Sequence, residues 1–439
     1  MLIRFRVRNF LSFKDEVEFS MIPGRSKQHL EHLISGGSGR NDLDLLPIGV
    51  IYGANASGKS NFVHALSFAK KLITQGVKAR EIIPVTPFRL DTSFHTQSSK
   101  FEFELRCGDQ DYLYGFEVNA EVVQSEWLHQ IKKTTTTALF ERNTNAQKET
   151  TISFDKIKFE TKDDKNFFDY VARGTSPNQL FLSETIEREV KLFEEIYTWF
   201  ENLTVIYPDT PSIIGLSLDD IRTNDMVEYL KKFGTGICGF DLQEVSAEAE
   251  IPKDVLKDIK KELKPGSPMA LIEIAERQRY VITKSKEGKI VANKFFLKHR
   301  MNNCDDEITF DTRDESDGTN RLMDLLPILV PLNNESKVYI IDELDRSLHP
   351  NLGYEFVKEF LAQTGQSQLI VTTHESNLLT FDLLRRDEIW FVEKDQSGAT
   401  SAYSLEEYTP RYDKDIQKGY LLGRFGAIPV IGKTPFYAE

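Results

Sequence analysis

The chain has 439 residues, 40% hydrophobic and 28% charged, which is the balance of a soluble globular protein and enough length for more than one domain or one domain with a large insertion. Its net charge of −13 excludes a uniformly basic coat, so any nucleic-acid surface must be local. No stretch approaches about eighteen continuous apolar residues, and the N-terminus alternates like a strand where a signal peptide would carry an apolar block, so no membrane span is expected and the cytoplasm is the expected compartment. Cys107, Cys238 and Cys304 stand apart without C-x-x-C spacing, which suggests neither a disulfide framework nor a cysteine zinc site.

Leu2 to Val7 and Val17 to Met21 alternate apolar and polar residues around Asn9-Phe10-Leu11-Ser12-Phe13, the pattern of a β-hairpin. Residues 22–44, rich in Gly, Ser and charge, read as an exposed connection. Leu45 to Tyr52 is an apolar run suited to a buried strand, and Ser60 to Lys71 carries Phe62, Val63, Leu66 and Ala69 at helical spacing. Between them Gly53-Ala-Asn-Ala-Ser-Gly-Lys-Ser60 fits G-x-x-x-x-G-K-[ST]: its backbone N–H groups can wrap phosphates on a helix N-terminus, Lys59 reaches the β/γ oxygens and the Ser60 hydroxyl reaches Mg²⁺. Gly53, Asn55, Ala56, Ser57, Gly58, Lys59, Ser60 and Asn61 are therefore the expected ATP contacts. A glycine turn that matches by accident is the plain alternative. The strand, loop and helix in this order, and the segments downstream, argue against it.

Strands over Lys100 to Cys107, Tyr112 to Val118 and Thr151 to Phe159, separated by Gly, Asp and Asn turns, predict an antiparallel subdomain. From 164 to 280 the apolar residues Phe167, Phe168, Tyr170, Val171, Val190, Phe193, Ile196, Tyr197 and Phe200 return at helical steps, which predicts a helical insertion broken by Pro208, Pro211, Gly234, Gly236 and Pro265. Within it and just beyond, residues 253–300 hold thirteen Lys or Arg against six Asp or Glu, with Lys257, Lys260, Lys261 and Lys264 on neighbouring turns. A solvated helix face explains such a run; a surface for a nucleic-acid backbone is the sharper reading. From Val281 onward strands and helices alternate again, giving lobes at 1–163 and 281–439 around the insertion at 164–280, with the last lobe folding back onto residues 45–75.

Three later segments complete the chemistry. Ser316-Asp317-Gly318, ahead of the amphipathic stretch Arg321 to Val330, supplies a hydroxyl, a glycine and a helix N-terminus that together make an anion site, though alone it is an ordinary N-cap. Lys337-Val-Tyr-Ile-Ile-Asp342-Glu343 ends an apolar strand in two carboxylates, where Asp342 can hold the Mg²⁺ shell and Glu343 can orient and deprotonate a water aimed at the γ-phosphate. His374 follows the strand Gln368-Leu-Ile-Val-Thr-Thr, a position beside the same phosphate, although a lone His at a strand end is more often a capping or surface residue.

These segments resemble the ABC-type ATPases of the RecF, SMC and OLD group, most closely the RloA-like proteins of prokaryotic restriction and anti-phage loci. The resemblance covers roughly residues 1–90 and 300–432, including Arg8-Asn9-Phe10-Leu11-Ser12-Phe13, Leu348-His349-Pro350 and Gly423-Arg424-Phe425-Gly426-Ala427-Ile428-Pro429. It implies an α/β fold: an ABC-type P-loop ATPase head with an antiparallel β subdomain and a helical insertion. It also implies that Ser316 and Gly318 of one protomer complete the ATP site of another, with Asp345 in the loop crossing the homodimer interface. The signature departs from the family, reading Glu315-Ser316-Asp317-Gly318-Thr319 where many relatives have Leu-Ser-Gly-Gly, and Gln97 stands as the candidate for the family's metal-contacting glutamine. The expected function is an ATPase that senses an intruder and controls a separately encoded effector, a nuclease or toxin, because no H-E-x-x-H, C-x-x-C or nucleophile elbow supplies destructive chemistry here. The alternatives are a DNA-repair or DNA-loading ATPase that clamps DNA, and an ATP-binding scaffold with slow turnover.

Overall fold

The computed structural model describes residues 1–36, 43–208, 224–262, 270–274, 277–285, 288–302, 306–330, 337–363, 365–408 and 415–428. Pro211, Lys264, Pro265, Cys304 and Pro429, each named above, lie outside the described residues. In chain order the elements are β1 (Leu2–Arg8), β2 (Val17–Ser20), β3 (Ile48–Gly53), α1 (Lys59–Thr74), β4 (Ser99–Cys107), β5 (Gln110–Val118), β6 (Val123–Ile131), β7 (Thr136–Thr144), β8 (Thr150–Ser153), α2 (Lys162–Gly174), α3 (Phe181–Glu187), α4 (Glu194–Asn202) and β9 (Leu203–Ile206). They continue with α5 (Asn224–Lys232), β10 (Ile237–Val245), α6 (Ala247–Glu250), α7 (Lys253–Glu262), β11 (Ala270–Ile274), β12 (Gln278–Lys284), β13 (Ile290–Arg300), β14 (Glu307–Asp311), α8 (Asp317–Leu325), β15 (Val338–Ile341), α9 (Pro350–Ala362), β16 (Gln368–Thr372), β17 (Ile389–Lys394), β18 (Thr400–Ser404) and α10 (Ile416–Leu421).

Apolar runs covered on both faces make a parallel sheet, and all six residues of β3 are buried. The sheet has the order β18-β17-β3-β16-β15-β9, with β17, β3, β16 and β15 mutually parallel. Alternating sequences make the second sheet, β2-β1-β4-β5-β6-β7-β8, antiparallel throughout. On β1 the outward Arg4 and Arg6 pair with Glu104 and Glu102 of β4, while Phe5 turns inward. Helix α1 packs on the antiparallel sheet through Phe62, which is edge-on to Phe5 at 5.7 Å and 5.1 Å from Phe19, and Phe19 in turn reaches the parallel sheet at Trp390 of β17, 4.8 Å away. Buried Gln368, at the start of β16, ties the sheets further by donating to the carbonyls of Leu2 and Leu46 and accepting from the Leu2 N–H.

The chain divides into two compact units. The first holds Met1–Val205, Asn334–Leu344 and Thr364–Glu439, and the second holds Ile206–Asn333 and Asp345–Gln363. The second is built on the antiparallel sheet β10-β13-β12-β11, with β14 paired to β13. Leu256 and Ile259 of α7 cover its face on Tyr280, Ile282 and Ala292.

The insertion expected to be helical over 164–280 is so only in part. Its periodicity does produce α2 to α5, yet β9 joins the parallel sheet, and β10 to β12 are strands. Two-residue alternation over Phe240 to Gln243 and the β-branched, aromatic run Tyr280-Val281-Ile282 favour strands here, and the amphipathic α7 between them carries the helical period that masks them. The strand expected over Thr151 to Phe159 ends at Ser153, where Phe154 and Phe159 turn in against Phe168. The connection after β2 is not wholly exposed, since His32 and Ile34 are buried.

Candidate nucleotide site

The loop between β3 and α1 is shaped by backbone that tolerates little substitution. Ala56 adopts φ 59°, and Gly58 adopts φ 118° where a Cβ would come within 2.5 Å of Thr400 Oγ1. Helix α1 begins with no side-chain cap and no acid in its first turn, so its leading N–H groups and positive dipole end are left for an anion. Lys59, only 6% exposed, folds back to donate from Nζ to the carbonyls of Gly53 and Ala54 at 2.8 and 3.2 Å. These are bonds that phosphate oxygens can replace.

Two further strand ends of the same sheet meet this loop. Asp342, 4% exposed at the exit of β15, accepts on one carboxylate oxygen from Thr372 Oγ1 at 2.6 Å and from Ser60 Oγ at 3.3 Å. Thr372 Oγ1 also accepts the Glu343 N–H at 2.8 Å, holding Glu343 in a left-handed conformation at φ 50°. A buried carboxylate beside a serine hydroxyl is a set of hard oxygen donors that suits Mg²⁺, with water filling the remaining positions. His374 is exposed just beyond β16.

Several residues of the loop's surroundings were not legible as site residues. Thr400 Oγ1 donates to Ser57 O and is hydrogen-bonded to the Ser12 hydroxyl, both at 2.8 Å, and Asn61 Nδ2 donates to Ser12 Oγ at 2.7 Å, so Asn61 braces the turn after β1. Ser57 Oγ is buried with no hydrogen-bond partner. Asn9, at φ 51°, donates to the carbonyls of Phe94 and Gln97 and accepts from the Phe88 N–H. Gln97 spends its own side-chain amide on Ser93 O, within its turn. Ser12 and Asn9 belong to the opening Arg8-to-Phe13 segment, which was their one signal in the sequence; Thr400 had none.

Ser316, Gly318 and Asp345 belong to the second unit, whereas Lys59, Ser60, Asp342 and His374 belong to the first. Ser316 is the N-cap of α8, its Oγ accepting from Thr319 N at 3.1 Å. Gly318 lies against the turn that begins at Asp345, where a Cβ would be 2.9 Å from Ser347 O. Asp317 forms an ion pair with Arg277 that holds its carboxyl below the usual range. Beside them is a cavity of about 190 Å³ lined by Arg277, Arg279, Arg321, Arg346 and Asp324, among others. Burial pushes the Asp324 carboxyl up to about 6 although Arg279 Nη2 stands 2.9 Å away.

A phosphate-type loop leading into an uncapped helix, with a serine and a strand-end carboxylate converging on it in a parallel sheet, defines a P-loop ATPase type of site. The family model described as "AAA domain, putative AbiEii toxin, Type IV TA system" matches residues 48–380, and the chain belongs to that family. No curated protein matches the chain. Among solved structures it is similar to an SmcHead bound to the C-winged helix domain of ScpA, at 13% identity over 92% of this chain and 99% of that chain with a TM-score of 0.38. It is also similar to the SMC head domain from Thermotoga maritima, at 13% identity over 92% of this chain and 98% of that chain with a TM-score of 0.33. At these scores the two likenesses carry no further step.

Proposed function

We propose that this chain is an ABC-type, RloA-like ATPase that binds ATP with Mg²⁺, forms a homodimer around the nucleotide and controls a separately encoded nuclease or toxin in anti-phage defence. The observation that carries the reading is the convergence of Ser60, Asp342 and Thr372 beneath an uncapped α1 that presents Lys59. In this reading the loop N–H groups and Lys59 hold the phosphates, and Ser60 with Asp342 holds Mg²⁺, which supplies charge neutralisation at the β/γ oxygens. Glu343 takes the proton of the attacking water, and His374 stands by the γ-phosphate. Ser316 and Gly318 of the second protomer close the site, and Asp345 lies at the junction.

Mixing Lys59→Ala with Ser316→Arg chains tests the shared site. Each variant alone is inactive, while a mixed dimer retains one intact composite site and regains hydrolysis. Dimers that form from folded chains yet hydrolyse no ATP remove the shared site from the proposal.

A further inference from the structure

The cavity beside α8 lies wholly within the second unit. Asp317, Asn320, Arg321 and Asp324 recur at i, i+3, i+4 and i+7, so one face of α8 makes a wall of it, and Arg279 of β12 with Glu273 of β11 makes another. Arg277, between those two strands, and Arg346 are exposed and stand at its rim. Ser316 and Gly318, the residues proposed to reach a second protomer's nucleotide, lie outside the lining: Ser316 Oγ caps α8, and Gly318 sits against Ser347 O.

Arg279 is the residue that calls for a ligand. Its side chain is only 2% exposed, and one amino group, Nη2, stands 2.9 Å from Asp324 Oδ1 and 3.4 Å from Asn320 O. The other, Nη1, is buried with no hydrogen-bond partner, and Nε is 3.7 Å from Glu273, beyond hydrogen-bond reach. A guanidinium keeps its charge at every accessible pH, so these N–H groups cannot be relieved by losing a proton. Asn320 has the complementary lack. Its Nδ2 donates to Thr312 O at 2.9 Å, while its Oδ1 is buried with no partner. Four arginines line the cavity against three carboxylates, which leaves one positive charge in excess. Water meets a donor and an acceptor but leaves that excess uncompensated.

We propose that this cavity binds inorganic phosphate, with Arg279 Nη1 and the rim residues Arg277 and Arg346 holding its oxygens and Asn320 Oδ1 accepting its P–OH hydrogen. The planar fork of arginine matches a tetrahedral oxyanion, and the volume of about 190 Å³ holds one with a few waters. Carboxylates in the lining would repel a fully ionised anion, yet they accept from one that keeps a hydrogen. Inorganic phosphate keeps a P–OH at neutral pH, sulfate has none, and a monoester such as AMP, with a second pKa of about 6, has lost most of its own. This proposal does not rest on the reading of the nucleotide loop.

The test is calorimetric titration of full-length protein with inorganic phosphate, sulfate and AMP. One phosphate equivalent is expected to persist in Lys59→Ala, which separates it from the nucleotide loop, and in that variant sulfate and AMP bind at least about tenfold more weakly. Arg277→Ala, Arg346→Ala and Arg279→Gln each weaken phosphate by at least about tenfold. The first two positions are exposed, so those variants keep the fold even if Arg279→Gln does not. Asp324→Asn takes a negative charge from the wall and narrows the preference for phosphate over sulfate. No phosphate uptake at millimolar concentration, loss of the equivalent in Lys59→Ala, or binding that the three arginine variants leave unchanged overturns the site and leaves water as the occupant. Sulfate bound as tightly as phosphate overturns the part given to Asn320.

Discussion

Thr372 is the residue through which the carboxylate pair is set in place: one hydroxyl donates to Asp342 and accepts from the Glu343 backbone. Thr372→Val keeps the shape and removes both bonds inside a buried site, so stability should fall by about 1–3 kcal/mol and the Mg²⁺ requirement for hydrolysis should rise; denaturation midpoints and a Mg²⁺ titration check this. Glu343→Gln keeps the shape without the basicity. It should retain nucleotide binding and lose at least about a hundredfold in turnover, whereas Lys59→Ala should lose binding itself. Wild-type turnover in Glu343→Gln removes Glu343 from its role. The residues of these tests differ in how far the sequence announces them. Gly53 to Ser60 are contiguous, so spacing alone reveals them. Thr400 reaches the loop, and Thr372 the carboxylate pair, only because β18 begins and β16 ends there, a consequence of sheet order that no local pattern carries.

At the scale of elements, strands were legible where one period ruled and were lost where two competed. β3, β15 and β16 are short apolar runs read correctly, but β10 to β12 lie around α7, whose own amphipathic period extended the helical reading across them. Of the thirteen basic residues over 253–300, four are paired inside the unit: Lys294 with Asp311, Lys298 with Glu307, Arg277 with Asp317 and Arg279 with Asp324. A solvated helix face at Lys257 and Lys260 predicts no duplex DNA binding that falls steeply with salt, and a filter-binding series across salt concentrations checks this. Helix α8 gives a pH test. The Asp324 carboxyl, raised in the fold from 3.8 to about 6, holds its proton better folded than unfolded, so its stabilising contribution is full below about pH 4 and is lost as pH rises through about 6. At about 1.36 kcal/mol per pH unit the loss is about 3 kcal/mol at most. Urea unfolding of the wild type against Asp324→Asn should show the wild type losing ground across that window, and a flat difference refutes the buried charge.

For the whole molecule, the proposed division of labour has a direct check. The purified chain should hydrolyse ATP yet leave DNA and RNA intact with Mg²⁺ or Mn²⁺, because a metal-dependent nuclease needs a further carboxylate cluster, and among the described residues the one group of three or more metal-type side chains is His29, Glu31 and His32. Cleavage that co-purifies with the chain and survives Glu343→Gln overturns the separate effector. The partition into two units also bears on how the protein can be watched. Trp127, Trp199 and Trp390, the chain's three tryptophans, all fall in the first unit. Indole emission is thus a built-in reporter of the nucleotide-loop unit, whereas far-ultraviolet circular dichroism sums over both units. A dichroism transition that no change in emission accompanies along one denaturation series therefore marks the melting of the β10 to β14 sheet, without adding a label.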